Sequence, residues 1–105
     1  MISVTFTVNG GVVTGYIISG HSGYSEQGSD IVCAAISSAA LMAANTVTEI
    51  QQLDAEITVN DGFLNLNLSQ QDAKAASVTL EGLRLHLTAL SQEYPKFIKV
   101  KNSEV

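Results

Sequence analysis

The sequence contains one cysteine, one proline and no tryptophan, and the scarcity of cysteine excludes a small secreted domain stabilised by intrachain disulfides. A single cysteine cannot form an intrachain disulfide, the bond that usually stabilises small secreted domains. No basic segment followed by an apolar run opens the chain, so we expect no signal peptide. The longest apolar helical stretch, residues 31–44, is interrupted by serines and is expected to be too short to cross a bilayer. We therefore expect a soluble, cytoplasmic protein with no membrane segment.

Basic residues are also scarce. Five Lys and Arg against ten Asp and Glu give a net charge of −5, which repels phosphate backbones and argues against direct nucleic-acid binding. Lys96, Lys99 and Lys101 form a small basic cluster near the C-terminus, which we interpret as an exposed edge strand that lysines protect from further pairing. The rest of the chain is acidic, so a partner protein rich in Lys and Arg suits it better than RNA does.

Hydrophobic periodicity predicts one α+β domain over residues 1–105, in the order ββαββαβ, with two helices packed on a mostly antiparallel sheet. Glycine-containing turns at Asn9-Gly10-Gly11 and Asp61-Gly62 join the strands of two hairpins. The second helix begins near Gln71 or Asp72 and ends before Pro95. The strands are predicted at residues 2–8, 12–19, 56–60, 63–69 and 96–101, and the first helix from residue 31 to about residue 53. We expect this alanine-rich first helix to be buried on most sides.

Residues 20–37 contain the only cysteine, one of the two histidines and three of the eight glycines. Ser29 is predicted to cap the first helix, with Asp30 next to the positive end of its dipole and Cys33 in its first turn. A thiol in that position is stabilised as a thiolate, and the unpaired amides of the same turn form a candidate oxyanion site. The alternative is that Cys33 is a small buried hydrophobic residue, as most free cysteines are.

His21 follows the second predicted strand, and a loop of twelve positions can bring its imidazole back to the Cys33 thiol. The two side chains would then act as nucleophile and base, with the protonated imidazole later protonating the leaving amine. The alternative is an exposed loop histidine without a role. Gly20, Gly23 and Gly28 make the connecting loop a candidate flexible lid, although an ordinary connection has the same composition.

Other polar residues have two interpretations each. Asp30 can orient His21 or hold the lid, or it is only an acid at the helix start. Ser37 lies one turn after Cys33 and can contact substrate, or it is a small residue at a packed helix crossing. His86 is predicted to lie at the surface. Two distant histidines and one cysteine do not make a zinc site, and nothing indicates another metal or a cofactor.

The dipeptide Gly20-His21, the glycine-bearing loop after it and the motif GSDIVCAAIS at residues 28–37 resemble the ribosomal-processing cysteine protease family, Prp. Chain length, the ββαββαβ order and the alanine-rich first helix are similar too, so the resemblance covers nearly the whole chain. It implies a catalytic dyad of Cys33 and His21, with Asp30 and Ser37 as supporting positions. It also implies a homodimer and a mobile loop between the two catalytic residues that closes on substrate.

The family resembled here removes a short N-terminal extension from large-subunit ribosomal protein twenty-seven, with cleavage after an aromatic residue and before a small one. The resemblance therefore implies a cysteine endopeptidase that acts during ribosome assembly. The alternative function is a non-catalytic ribosome-assembly or interaction module in which Cys33 and His21 are structural. Reactivity of the thiol distinguishes the two, because a buried structural thiol reacts only on unfolding.

Overall fold

A five-stranded mixed sheet carries the helices on one face and confirms the predicted α+β class. The structure, a computed structural model, describes residues 1–25 and 30–105. The helices are α1 (Ile31–Asn45), which continues as a π-helical segment (Thr46–Ile50), α2 (Gln70–Ala75) and α3 (Ser77–Glu93). The strands are β1 (Ile2–Asn9), β2 (Val12–Ser19), β3 (Glu56–Asn60), β4 (Phe63–Asn67) and β5 (Ile98–Glu104).

The strand order is β3-β4-β2-β1-β5, which places β2 at the centre of the sheet. The neighbouring pairs β1–β2, β2–β4 and β3–β4 are antiparallel, and β1–β5 is parallel. Both predicted hairpins are confirmed, and Gly10 and Gly11 have the positive φ values of 59° and 80° that a tight turn between β1 and β2 requires. Because β2 is the central strand, the chain leaves the sheet at its middle, at Ser19, two positions before His21.

Alternation along the strands decides which face of the sheet is covered. Ile2, Val4, Phe6 and Val8 of β1 are all buried, whereas Ser3 between them is exposed, as the period of two predicts. Tyr16 of β2 is fully buried on this covered face, and burial raises the pKa of its phenol.

The Tyr16 hydroxyl donates a hydrogen bond of 2.9 Å to the carbonyl of Ala40 in α1. This bond joins the central strand to the helix that carries Cys33.

The expectation that α1 is buried on most sides is wrong. Val32, Ile36 and Ala40 are buried, but Ile31 is 57% exposed and Met42 is 67% exposed. The helix therefore packs on the sheet through one face, and its alanines permit a close approach there rather than all round.

The expectation that the apolar helix is too short to cross a bilayer is also wrong. Together α1 and the π-helical segment span 20 residues, Ile31–Ile50, which are long and apolar enough by length and composition. The buried residues of this segment, among them Val32, Ile36 and Val47, belong to the hydrophobic core that it shares with the sheet.

The second predicted helix is divided in two at Ala76, which has φ −93° and ψ 7°. Ser69 caps α2 by accepting a hydrogen bond from the Asp72 amide, so β4 ends two residues earlier than predicted. The apolar stripe of the second helix is confirmed, with Leu80, Leu83 and Leu87 buried.

The last strand begins at Ile98, two residues later than predicted, and ends at Glu104. It is an edge strand with Lys99 exposed, which agrees with the interpretation of the basic cluster.

Candidate functional site

Cys33 is the third residue of α1 and is half-buried against the core. The helix begins at Ile31 because the backbone of the preceding residue, Asp30, is extended, with φ −77° and ψ 107°, and the Asp30 side chain caps the helix. Oδ1 of Asp30 accepts hydrogen bonds from the backbone N–H of Val32 at 2.9 Å and of Cys33 at 3.0 Å. The cap is therefore Asp30 and not Ser29, which lies outside the described residues.

This cap changes the expected role of the helix start. The Val32 and Cys33 amides are bound to the Asp30 side chain, and the Ala34 amide donates to the Asp30 carbonyl at 3.1 Å. The expectation that unpaired amides of this turn form an oxyanion site is therefore wrong for these three groups. An acid at the cap position satisfies the donors that a serine one residue earlier would have left available.

A different amide points at the sulfur. The backbone N–H of Ser22 donates a hydrogen bond to Cys33 Sγ at 3.3 Å. The Ser22 hydroxyl donates to Oδ2 of Asp30 and accepts from the Tyr24 amide at 3.0 Å. Ser22 is buried by these contacts. The sequence alone does not identify Ser22 as a site residue. The only signal for it in the sequence is a hydroxyl side chain directly after the candidate base, His21.

Asp30 is ionised at neutral pH. Burial raises the pKa of its carboxyl, but hydrogen bonds from the Ser22 hydroxyl, the Cys33 and Val32 amides and the Cys33 side chain outweigh burial and hold the pKa at about 2. The hydrogen bonds described for Asp30 thus tie the loop after β2 to the first turn of α1. Its position supports the interpretation as a helix-start acid that also holds the loop.

Replacing Asp30 with asparagine is expected to change how stability depends on pH. The folded pKa of about 2 lies below the ordinary value of 3.8, so the carboxylate's contribution is complete above about pH 4 and is lost as the pH falls through about 2. Wild type should therefore lose Tm on acidification from pH 5 to pH 2, and Asp30→Asn should start from a lower Tm at pH 7 and lose less. Thermal melts followed by circular dichroism measure both curves, and parallel curves would contradict the assignment.

His21 lies two positions after the end of β2, is exposed, and rests against the turn between β3 and β4. The Gly20 amide donates to the Gly62 carbonyl at 2.9 Å, which holds the end of β2 beside that turn. Gly20 has φ +93°, and a side chain there would lie 2.5 Å from the Met1 carbonyl oxygen, so only glycine fits before His21.

His21 and Cys33 line the same cavity, which has a volume of about 350 Å³. Ser37, exposed one turn after Cys33, lines it as well, as does Asp30. The remaining wall is mainly apolar and comes from the sheet and from α1, including Ile18, Val59, Leu64, Ala40 and Leu41. A thiol and an imidazole in one apolar cleft can attack and protonate the two sides of a bound amide.

The loop after His21 is anchored by aromatic contacts. The Tyr24 ring packs edge-to-face on the rings of Tyr94 and Phe97, with centroids 6.0 and 5.2 Å away. Gly23, one of the candidate lid glycines, has φ +74°. Gly28, the other candidate in this part of the loop, lies outside the described residues.

The remaining candidates lie elsewhere. His86 is exposed on α3, as predicted, and lines a separate groove between α1 and α3. Within residues 1–25 and 30–105, no group of three or more His, Cys, Asp and Glu side chains is placed to hold a metal ion.

Comparison with known proteins gives consistent matches over nearly the full chain. Residues 1–99 match the family model of cysteine protease Prp. The Staphylococcus aureus ribosomal processing cysteine protease Prp is 29% identical over 103 residues, 95% of this chain and 97% of that protein. A crystal structure of the essential S. aureus ribosomal processing protease Prp with a covalently linked product peptide has a TM-score of 0.90 and 28% identity, covering 98% of this chain and 100% of that one. The S. aureus structure with a substrate peptide has a TM-score of 0.85 and 27% identity, with the same coverage.

Proposed function

Since this chain belongs to the cysteine protease Prp family, whose members include ribosomal processing proteases, we propose that it removes the N-terminal extension of large-subunit ribosomal protein twenty-seven during ribosome assembly. Cys33 is the nucleophile and His21 the general base and acid. The observation that carries this proposal is the shared cavity: both side chains line one cleft of about 350 Å³, with the Ser22 N–H donating to the sulfur.

The reaction proceeds through an acyl-enzyme. His21 takes the proton of the Cys33 thiol, and Sγ attacks the scissile carbonyl carbon of the bound peptide. The protonated imidazole then donates that proton to the leaving amine as the C–N bond breaks. Water, activated by the same imidazole, hydrolyses the thioester and regenerates the thiol. The Ser22 N–H, which already points at Sγ, is a hydrogen-bond donor beside the charge that develops during these steps.

Asp30 and Ser37 have supporting roles in this proposal. Asp30 accepts hydrogen bonds from the first turn of α1 and from the Ser22 hydroxyl, so it holds Cys33 Sγ and the Ser22 backbone N–H next to each other. Ser37, exposed on the cavity wall one turn along the helix, is placed to contact the substrate. Gly20 and Gly23 belong to the loop to which the resemblance assigns closure on the bound peptide.

The cavity wall supports a peptide with a large apolar residue at the cut. Ile18, Val59, Leu64 and Leu41 line the same cavity as Cys33, and such aliphatic side chains suit the aromatic residue before the scissile bond that the resemblance implies. The S. aureus relatives were crystallised with substrate and product peptides, which supports a peptide substrate here. Cleavage before a small residue follows the resemblance described above.

Further properties belong to the same proposal. Residues 1–105 form one catalytic domain that acts as a homodimer in the cytoplasm, without a cofactor. The net charge of −5 supports direct contact with a partner protein rich in Lys and Arg rather than with nucleic acid.

The test is incubation of the protein with the ribosomal protein precursor and mass spectrometry of the products. We expect one cut, at the end of the extension, and no further cut in precursor from which the extension has been removed. A matched precursor whose aromatic residue before the cut is replaced by aspartate should remain intact. Binding of the precursor without any cleavage would instead support the non-catalytic interaction module.

A further inference from the structure

The turn between β3 and β4 contacts the candidate base although it is 41 positions away in sequence. Gly62, in this turn, has φ +68°. A side-chain Cβ built on its backbone would lie 2.9 Å from Nε2 of His21, 3.2 Å from Cε1 and 3.5 Å from Cδ2. The imidazole ring therefore rests directly on the bare backbone of Gly62.

The turn is held by backbone hydrogen bonds, whereas no hydrogen bond to the imidazole is found within residues 1–25 and 30–105. Phe63, the next residue, pairs with Asn60 of β3 and with Ser19 of β2, and the Gly62 carbonyl accepts from the Gly20 amide at 2.9 Å. His21 is exposed and can rotate about its side-chain torsions. Because Cβ contacts shorter than 3.0 Å do not persist, a side chain at Gly62 would move the imidazole rather than the turn.

We propose that Gly62 is a positioning residue for His21: its bare backbone sets where the imidazole lies in the cavity that it shares with Cys33. This inference rests on the proposed function, since it assigns Gly62 a role in the Cys33–His21 dyad. A displacement of about 1 Å in a catalytic group can lower the rate by about 10²-fold, so the contact has a large effect on turnover and a small one on folding.

A second turn glycine provides a matched control. Gly11, between β1 and β2, also has a positive φ, +80°, but a Cβ there would meet nothing within 4 Å. Alanine at either position strains the backbone and should lower Tm by a similar amount, about 4–8 °C. Only Gly62→Ala should displace His21. Gly62→Asn is a second test variant, because asparagine tolerates the left-handed region and still introduces a Cβ.

The experiment measures kcat on the precursor peptide and the rate of Cys33 alkylation by iodoacetamide between pH 5 and pH 9. Alkylation below about pH 8, where an ordinary thiol is mostly protonated, reports the thiolate–imidazolium pair without needing the substrate site. We expect Gly62→Ala and Gly62→Asn to lose about 10²-fold in kcat together with the alkylation at low pH. Gly11→Ala should retain both.

Equal losses of kcat in Gly11→Ala and Gly62→Ala, or an unchanged alkylation profile in both Gly62 variants, would overturn the inference. His21→Ala separates this failure from failure of the dyad. If His21→Ala loses low-pH alkylation and the Gly62 variants do not, the dyad holds and Gly62 has no positioning role. If His21→Ala also retains it, the dyad itself is wrong and the inference falls with it.

Discussion

Cys33→Ala is expected to lower kcat on the precursor by roughly 10⁵- to 10⁶-fold, the range seen when the nucleophile of a hydrolase is removed. The half-buried position of Cys33 and the short side chain of alanine leave the packing of α1 nearly unchanged, with a cost of about 1 kcal/mol for the lost contact to Ser22. Precursor binding should survive, because the apolar wall of the cavity does not depend on the sulfur. Single-turnover cleavage and equilibrium binding measure the two effects separately.

Cys33→Ser is the matched control for this variant. Serine keeps a hydrogen-bond acceptor near the Ser22 amide and is close to cysteine in size, so it preserves the local structure while removing the reactive thiol. We expect it to be as inactive as Cys33→Ala and to have a Tm closer to wild type. Cleavage at the wild-type rate by either variant would exclude Cys33 as the nucleophile.

His21→Ala is expected to lower kcat by about 10³-fold, the contribution of one general acid–base group. The side chain is exposed, so its removal should leave Tm within about 2–4 °C of wild type, since surface substitutions rarely change stability by more than about 0.5 kcal/mol. Alkylation of Cys33 at low pH should be lost as well, because no imidazolium remains to pair with the thiolate. Peptide cleavage and iodoacetamide labelling give the two readouts.

His86→Ala provides the comparison for that variant. His86 is also an exposed histidine, but it lies on α3 and lines the separate groove between α1 and α3. We expect wild-type kcat and alkylation from this variant. If His86→Ala and His21→Ala lose activity equally, or if neither does, the assignment of His21 as the base fails.

Local pattern was sufficient for most of the secondary structure. The alternation of Val4, Phe6 and Val8 with Ser and Thr predicted β1, and the glycines at residues 10 and 11 predicted the hairpin turn. Spacings of three and four placed Leu80, Leu83 and Leu87 on one buried stripe. These features depend on neighbours in sequence, so the sequence alone predicts them.

The helix start was harder to predict. Ser29 and Asp30 are both good cap residues, and the choice between them depends on where the loop meets the helix. Asp30 is the cap because its carboxylate also receives the Ser22 hydroxyl from across the loop. The hydrogen bonds that the other carboxylate oxygen, Oδ1, accepts from the Val32 and Cys33 amides explain why the expected amide oxyanion site is absent there.

The sequence by itself determined the α+β class, the order of the elements apart from the division of the second helix, and the placement of Cys33 in a first helical turn, and its resemblance to a known family proposed the dyad. Only the tertiary structure decided that β5 pairs in parallel with β1, that α1 is buried on one face, and that Ser22 and Gly62 flank the two candidate catalytic side chains. The reason is physical. Periodicity and capping are interactions between residues a few positions apart, whereas a strand partner, an amide that points at a sulfur and a glycine beneath an imidazole depend on segments that only the folded chain brings together.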